Sequence, residues 1–430
     1  MRMHRHRLFL YQPKEYVMRN VFKQIGVIAF VAIIGFSMAA CGDGGGGGGG
    51  GGDKDLTGTI TISPNTNVTT GTKLTATYSG SENVSFQWKN GTTNVGTASM
   101  ANPNEHTPAA AGSYTVTVSA TGYKSKTSAA VAVTVPTGPQ WTAVDVSSIF
   151  TNNINAIAYG NGKFVAGGGG GKMATSPDGT TWTAVDVSSI FTNNINAIAY
   201  GNGKFVAGGG GEIATSTDGT TWTAVDVRSI FTNNIEAIAY GNGTFVAGGS
   251  AIGSNGNIGR MATSPDGTTW TAVYVNSTRS INAIAYGNGT FVAGGSNGNM
   301  ATSTDGTTWT AVTSSKFGTY EINAIAYGNG TFVAGGYGSK MATSPDGTTW
   351  TAITNNGDIY AIAYGNNKFV TGYYYYGYGQ TIATSTDGTT WTTVNVSSIF
   401  QGSSIYAIAY GNGKFVAVSS GGKMAYLSDN

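Results

Sequence analysis

Beyond Cys41 this chain of 430 residues holds one histidine, His106, and no further cysteine. A Ser/His/Asp triad inside the repeats, a Cys/His pair and a His-ligated zinc site all lack their parts, so no metal or other cofactor is implied. Carboxylates remain. Six aspartates, Asp178, Asp218, Asp266, Asp305, Asp346 and Asp387, recur within Ser-Pro/Thr-Asp-Gly-Thr-Thr-Trp. There the Asp side chain accepts turn N–H groups and the glycine supplies positive φ, which makes these residues turn staples rather than an array of acids. Apart from them, from Asp145, Asp186 and Asp226, and from the terminal Asp429, the repeat region has Glu212, Glu236, Glu321 and Asp358. Glu236, Glu321 and Asp358 are the candidates for a hydrolase acid and nucleophile, a pair that must stand roughly 5 to 9 Å apart. Acids on loops are ordinarily surface charge, and catalysis is the lesser reading.

Binding chemistry has more candidates. The run Gly372-Tyr373-Tyr374-Tyr375-Tyr376-Gly377-Tyr378 offers flat apolar rings with polar tips, suited to stacking on sugars or anchoring a protein. Beside these five tyrosines we place Arg228, Arg260, Arg279, Lys316, Phe317 and Tyr320. The bland alternative for the Tyr/Gly run is a sticky loop left by repeat slippage. Phe150, Phe191, Phe231 and Phe400, each closing a Ser/Arg-Ser-Ile-Phe stretch, are expected to fill gaps between units rather than touch a ligand.

Composition narrows the elements that can hold these residues. With 67 glycines and 23 tyrosines but only 10% charged side chains, against roughly a quarter in ordinary globular proteins, the chain is no coiled coil and no charged disordered tail. Gly-rich turns between aromatic and β-branched runs indicate an all-β protein. Six of the 22 basic residues and one of the 20 acids precede Cys41, leaving 16 basic and 19 acidic residues and a net charge of −3. That balance gives no basic face for nucleic acid.

Residues 18–41 combine a short basic start, an apolar run from Ile25 to Phe36 and a small-residue exit, the pattern of a secretory signal, with Met18 a plausible true start. Met38-Ala39-Ala40-Cys41 resembles a bacterial lipobox, which implies that residues 1–40 are removed and that Cys41 is lipidated; an ordinary signal peptide with a chance cysteine is the alternative. Gly44 to Gly52 then form a glycine tract within a 41–55 tether. The resemblance to lipoproteins places the protein at the bacterial cell surface or outer membrane, touching the membrane through its lipid only.

Between residues 56 and 136 five alternating runs, Gly58-Ile62, Lys73-Tyr78, Val84-Trp88, Ser113-Ser119 and Ser128-Val135, predict a small β-sandwich. The stretch Ala111 to Val116 resembles the tyrosine corner of immunoglobulin-like domains and Trp88 their core tryptophan, without the cysteine pair. A spacer role is preferred over a ligand site.

From residue 141 to 430 one unit repeats, with tryptophans at 141, 182, 222, 270, 309, 350 and 391 and an Ala-Ile-Ala-Tyr-Gly-Asn marker with tyrosines at 159, 200, 240, 286, 327, 364 and 410. Seven units of four short strands predict a seven-bladed β-propeller; a solenoid would need capping units, and none is visible. The region opens on a lone fourth strand, residues 141–146, and stops after a third, so head and tail are expected to pair and close the ring. The aspartate turns resemble the Asp-box of sialidase-like and BNR-repeat propellers, one residue short between Asp and Trp. Strand alternation puts the constant turns on one face and the divergent loops on the other, which is the expected binding face. The reading is a surface-anchored binding protein for a glycan or protein ligand, with a glycoside hydrolase or a structural scaffold as alternatives. A sialidase would need an arginine cluster; the ring has only Arg228, Arg260 and Arg279.

Overall fold

A computed structural model describes residues 53–66, 68–135, 140–252, 258–275, 279–355, 357–375 and 379–428. The leader, Cys41, the glycine tract, Tyr376, Tyr378 and Asp429 lie outside the described residues, and of Tyr375 only the backbone is described. The strands fall into two compact units.

The N-terminal unit is a β-sandwich. One sheet runs in the order Val68–Thr69, Val131–Thr134, Gly112–Ser119, Ser85–Asn90, Thr93–Ser99, and the facing sheet holds Ile60–Ser63, Leu74–Tyr78 and Asn104–His106. Alternation along Leu74–Tyr78 and Gly112–Ser119 sends every second side chain into one core containing Phe86, Trp88, Tyr114 and Val116. Trp88 donates its indole N–H to Asn104 at 2.8 Å and stacks on His106, whose pKa burial lowers. His106 is thus a packing residue.

The C-terminal unit is seven four-stranded antiparallel sheets. In the first, Ile154–Gly160, Lys163–Gly168, Met173–Ser176 and Thr183–Val185 lie side by side, and five further sheets repeat that order. The seventh is built from both ends of the unit. Trp141–Val144 pairs with the last strand, Met424–Ser428, placing Ala143 opposite Ala425 and Val144 opposite Met424. Each inner strand packs on the next, and the seventh, Ile405–Gly411, returns to the first. The chain therefore forms a closed seven-bladed β-propeller.

Seven apolar clusters fill the seven gaps between blades. Each joins the second strand of one blade to the Phe, Ile and Trp of the next; the first gap combines Val416 and Val418 with Phe150, Ile154 and Phe164. Phe150, Phe191, Phe231 and Phe400 are buried in these gaps, as their sequence context predicted.

Two repeated devices bind blade to blade. Where each inner strand ends in glycine, the tyrosine of the next inner strand lies against it, Tyr200 on Gly160 and Tyr240 on Gly201; a Cβ on either glycine would overlap the ring. On the same face the left-handed asparagine of the first turn donates across to the next blade, as in Asn161 to the Thr217 carbonyl at 3.1 Å and Asn412 to the Pro177 carbonyl at 3.3 Å. The aspartate turns occupy this face too. Asp218 accepts the N–H groups of Thr220 and Thr221, both at 2.8 Å, while the Trp222 indole donates to the Gly219 carbonyl. All six aspartates are held well below the usual carboxylate range; for Asp218 the Thr221 and Thr220 N–H groups are the leading causes. They are staples, with their oxygens committed to the turns.

Candidate functional site

The opposite face is built around a repeated irregularity. In every blade the pairing between first and second strands shifts after the first isoleucine: Ile154 faces Gly168, but Ala156 faces Gly167, so Asn155 is the extra residue of a β-bulge. The same shift frees Asn196, Glu236, Asn282, Asn323, Tyr360 and Tyr406 in the other six blades. A bulge bends the strand and re-aims the bulged side chain. In blade one a Cβ at Gly168 would run into the Asn153 carbonyl, whereas blades six and seven carry Tyr373 and Ser419 at the matching position.

The seven bulge residues converge. Together with Asn153, Asn194 and Asn234 they line a funnel of about 380 Å³ on the ring axis. Below it a narrower channel of about 180 Å³ is walled by the Ala and Ile that follow each bulge. The ring is not uniform. Asn155 donates its amide to the Asn196 side-chain oxygen at 3.2 Å, and Asn323 donates to the Ile359 carbonyl at 3.2 Å. Tyr360 and Tyr406 instead form an aromatic arc with Tyr337, with ring centroids 5.4 Å apart for Tyr337–Tyr360 and 5.6 Å for Tyr360–Tyr406, both edge-on. Burial, then the Tyr337 hydroxyl, pushes the Tyr360 phenol far up, so it remains a hydrogen-bonding neutral group. Blade three, which supplies Glu236, stands opposite blades six and seven, which supply Tyr360 and Tyr406.

The acids expected from sequence fall around this funnel. Glu236 is a bulge residue, and its carboxylate receives the Ser250 hydroxyl at 3.4 Å. Glu321 and Asp358 occupy the residue just before Ile322 and Ile359, the place held by Asn153 in blade one. Asp358 is already committed: it accepts the N–H groups of Gly338 at 2.8 Å and Ser339 at 3.3 Å, fixing the turn that carries Tyr337.

Two other expected ligand residues, Phe317 and Tyr373, are buried. Phe317 is 1% exposed in the gap between blades four and five, in the place that Phe150 fills in its own gap. Tyr373 is 7% exposed and packs between blades five and six. The tyrosine run is not a loop at its start, because Lys368–Tyr375 and Gly379–Ser385 continue as a longer hairpin in which Tyr373 faces Thr381 and Tyr374 faces Gln380. Tyr374 is half-buried. The cations lie away from the funnel lining: exposed Arg228 is paired with Asp226 at 3.0 Å, and the Arg260 guanidinium lies 5.6 Å over the ring of Tyr274. Arg279 is exposed and faces Asn297, whose amide oxygen, in the orientation that satisfies both groups, accepts Nη1 at 3.0 Å. Exposed Lys316 sits at φ 72° and donates to the Ser314 hydroxyl, while Tyr320 is exposed with Lys340 over its ring.

Sequence reasoning named Glu236 among the candidate acids but missed Tyr360, Tyr406 and Tyr337. The available signal for Tyr360 and Tyr406 was their place after the first Ile of an inner strand, where other blades carry Asn or Glu.

No protein-family description and no curated protein sequence matches the chain. Solved structures do. YCF48 bound to a D1 peptide is 17% identical with a TM-score of 0.52, covering 69% of this chain and 96% of that one. The WD40 propeller domain of Doa1 is 12% identical at 0.52, covering 69% and 98%. An inactive histidine-to-alanine form of virginiamycin B lyase from Staphylococcus aureus, with quinupristin, is 12% identical at 0.56, covering 68% and 99%. These likenesses are of fold: the chain is a β-propeller protein.

Proposed function

We propose that the ring is a non-catalytic binding module that takes a protein segment at the axial funnel, displayed at a bacterial cell surface by a lipid on Cys41 and lifted on the glycine tract and sandwich. The observation that carries this reading is the seven-fold bulge. A scaffold needs no break in its innermost pairing, yet every blade has one, and all seven point their extra side chain at one axis. Amides that donate and accept beside neutral aromatic rings suit a polypeptide backbone and its side chains. The likeness to a propeller solved with a peptide lends support. Hydrolysis is disfavoured because Asp358 is spent on backbone N–H groups, and chemistry through histidine because all three histidines precede the ring. The aromatic arc also favours a second reading, a glycan ligand.

The test is a peptide-library and glycan-array screen of the intact mature chain, repeated with Tyr360→Ala/Tyr406→Ala. Peptide ligands that lose about tenfold or more in affinity in the variant fit the proposal. Ligands unaffected by it would place the site elsewhere.

A further inference from the structure

The charges around the funnel are of one sign. Glu236 lies in the bulge ring and lines the funnel, and Glu321 and Asp358 stand two residues before the bulge in blades five and six, outside its lining. No Lys or Arg lines the funnel or the channel below it. Among the described residues the ion pairs are Lys73–Glu105, Lys124–Asp55 and Arg228–Asp226, so none of Glu236, Glu321 and Asp358 has a cationic partner. Glu236 is the least used, since its hydroxyl contact at 3.4 Å is at the long limit of a hydrogen bond. Across the axis from it stand the rings of Tyr360 and Tyr406. Carboxylate on one wall, amide oxygens around the circumference and aromatic rings on the other wall are the three surroundings that accept an ammonium ion.

Resting on the funnel as the ligand site, we infer that it selects a primary ammonium group, the lysine side chain or amino terminus of the bound protein segment. A compact point charge with three donors can be ringed by oxygens from several blades, whereas a planar guanidinium matches a single carboxylate better. With no Lys or Arg in the lining, the Glu236 carboxylate leaves the axis negative, which draws a cation toward it. A neutral ligand would use the asparagines equally well but would leave Glu236 facing rings and amides without a counter-charge.

The experiment is calorimetric titration of the intact mature chain with four short peptides of otherwise identical sequence. Three are acetylated and carry lysine, norleucine or glutamate at the centre; the fourth carries norleucine and a free amino terminus. The inference predicts that the lysine peptide, the free-amine peptide or both bind about tenfold or more tighter than acetylated norleucine, that glutamate is weakest, and that rising salt erodes the advantage. Glu236→Gln should abolish the advantage while leaving the melting temperature unchanged. Lysine alone, or the free amine alone, identifies the source of the ammonium. If all peptides bind equally and Tyr360→Ala weakens them equally, the funnel binds peptides but the ammonium inference falls. If none binds, both readings fall together.

Discussion

Gly411, which ends the last inner strand, lies so close against the ring of Tyr159 in the first blade that a methyl group on it would overlap the aromatic carbons. This is the same joint that Gly160 makes with Tyr200, so the closure of the ring is built like every other interface. Gly411→Ala must push the tyrosine aside, at a cost of about 1–3 kcal/mol for overpacking. Urea unfolding should show that loss, and Gly160→Ala should lose a similar amount. A neutral Gly411→Ala would mean that the two ends do not meet as described.

The turn aspartates predict an acid limb to stability. Their folded pKa values lie below the ordinary carboxyl value near 4, so their contribution is complete above that pH and is lost as pH falls through the folded values. Melting temperature should fall steadily below about pH 4. Asp218→Asn, which weakens the acceptor for Thr220 and Thr221, should cost about 1 kcal/mol at neutral pH, the scale of a lost side-chain cap. The gap between variant and parent should narrow as the medium is acidified.

Phe317 and Tyr320 are three residues apart and should behave oppositely. Phe317→Ala empties a site in a fully packed gap and should cost about 3–5 kcal/mol. Tyr320→Ala, at an exposed ring, should stay within about 0.5 kcal/mol. Denaturant midpoints separate the two, and equal costs would place Phe317 at the surface.

Asp358 has a positioning role for Tyr337 through the turn it holds. Asp358→Ala should loosen the Tyr337–Tyr360–Tyr406 arc and reduce the near-ultraviolet circular dichroism of tyrosine, with about 1–3 kcal/mol lost from unpaired N–H groups. An unchanged spectrum would show that the arc does not depend on this carboxylate.

The repeat unit, the number of blades and the joining of the two ends were legible because each rests on a count: seven tryptophans, seven tyrosine markers and one fourth strand displaced to the front. The turn aspartates were legible because their chemistry is local. What failed needed register. Tyr373 reads as part of a loop until it is seen opposite Thr381 in a lengthened hairpin, where alternation turns it into a gap between blades. Phe317 lacks the Ser-Ile-Phe context of its counterparts, so its equivalence to Phe150 shows only in space. The funnel was half visible. Glu236 was among the candidate acids, but Tyr337, Tyr360 and Tyr406 come from three blades, and only the packing of those blades makes them neighbours.

Hydrogen exchange of the intact chain, with and without a bound peptide, tests the central claim most directly. The account predicts that ligand slows exchange at the start of several inner strands, around residues 153–157, 194–198, 234–238, 358–362 and 404–408, and leaves the aspartate turns unaltered. Protection concentrated at those turns or along the outer strands, with the bulge segments unchanged, would contradict it.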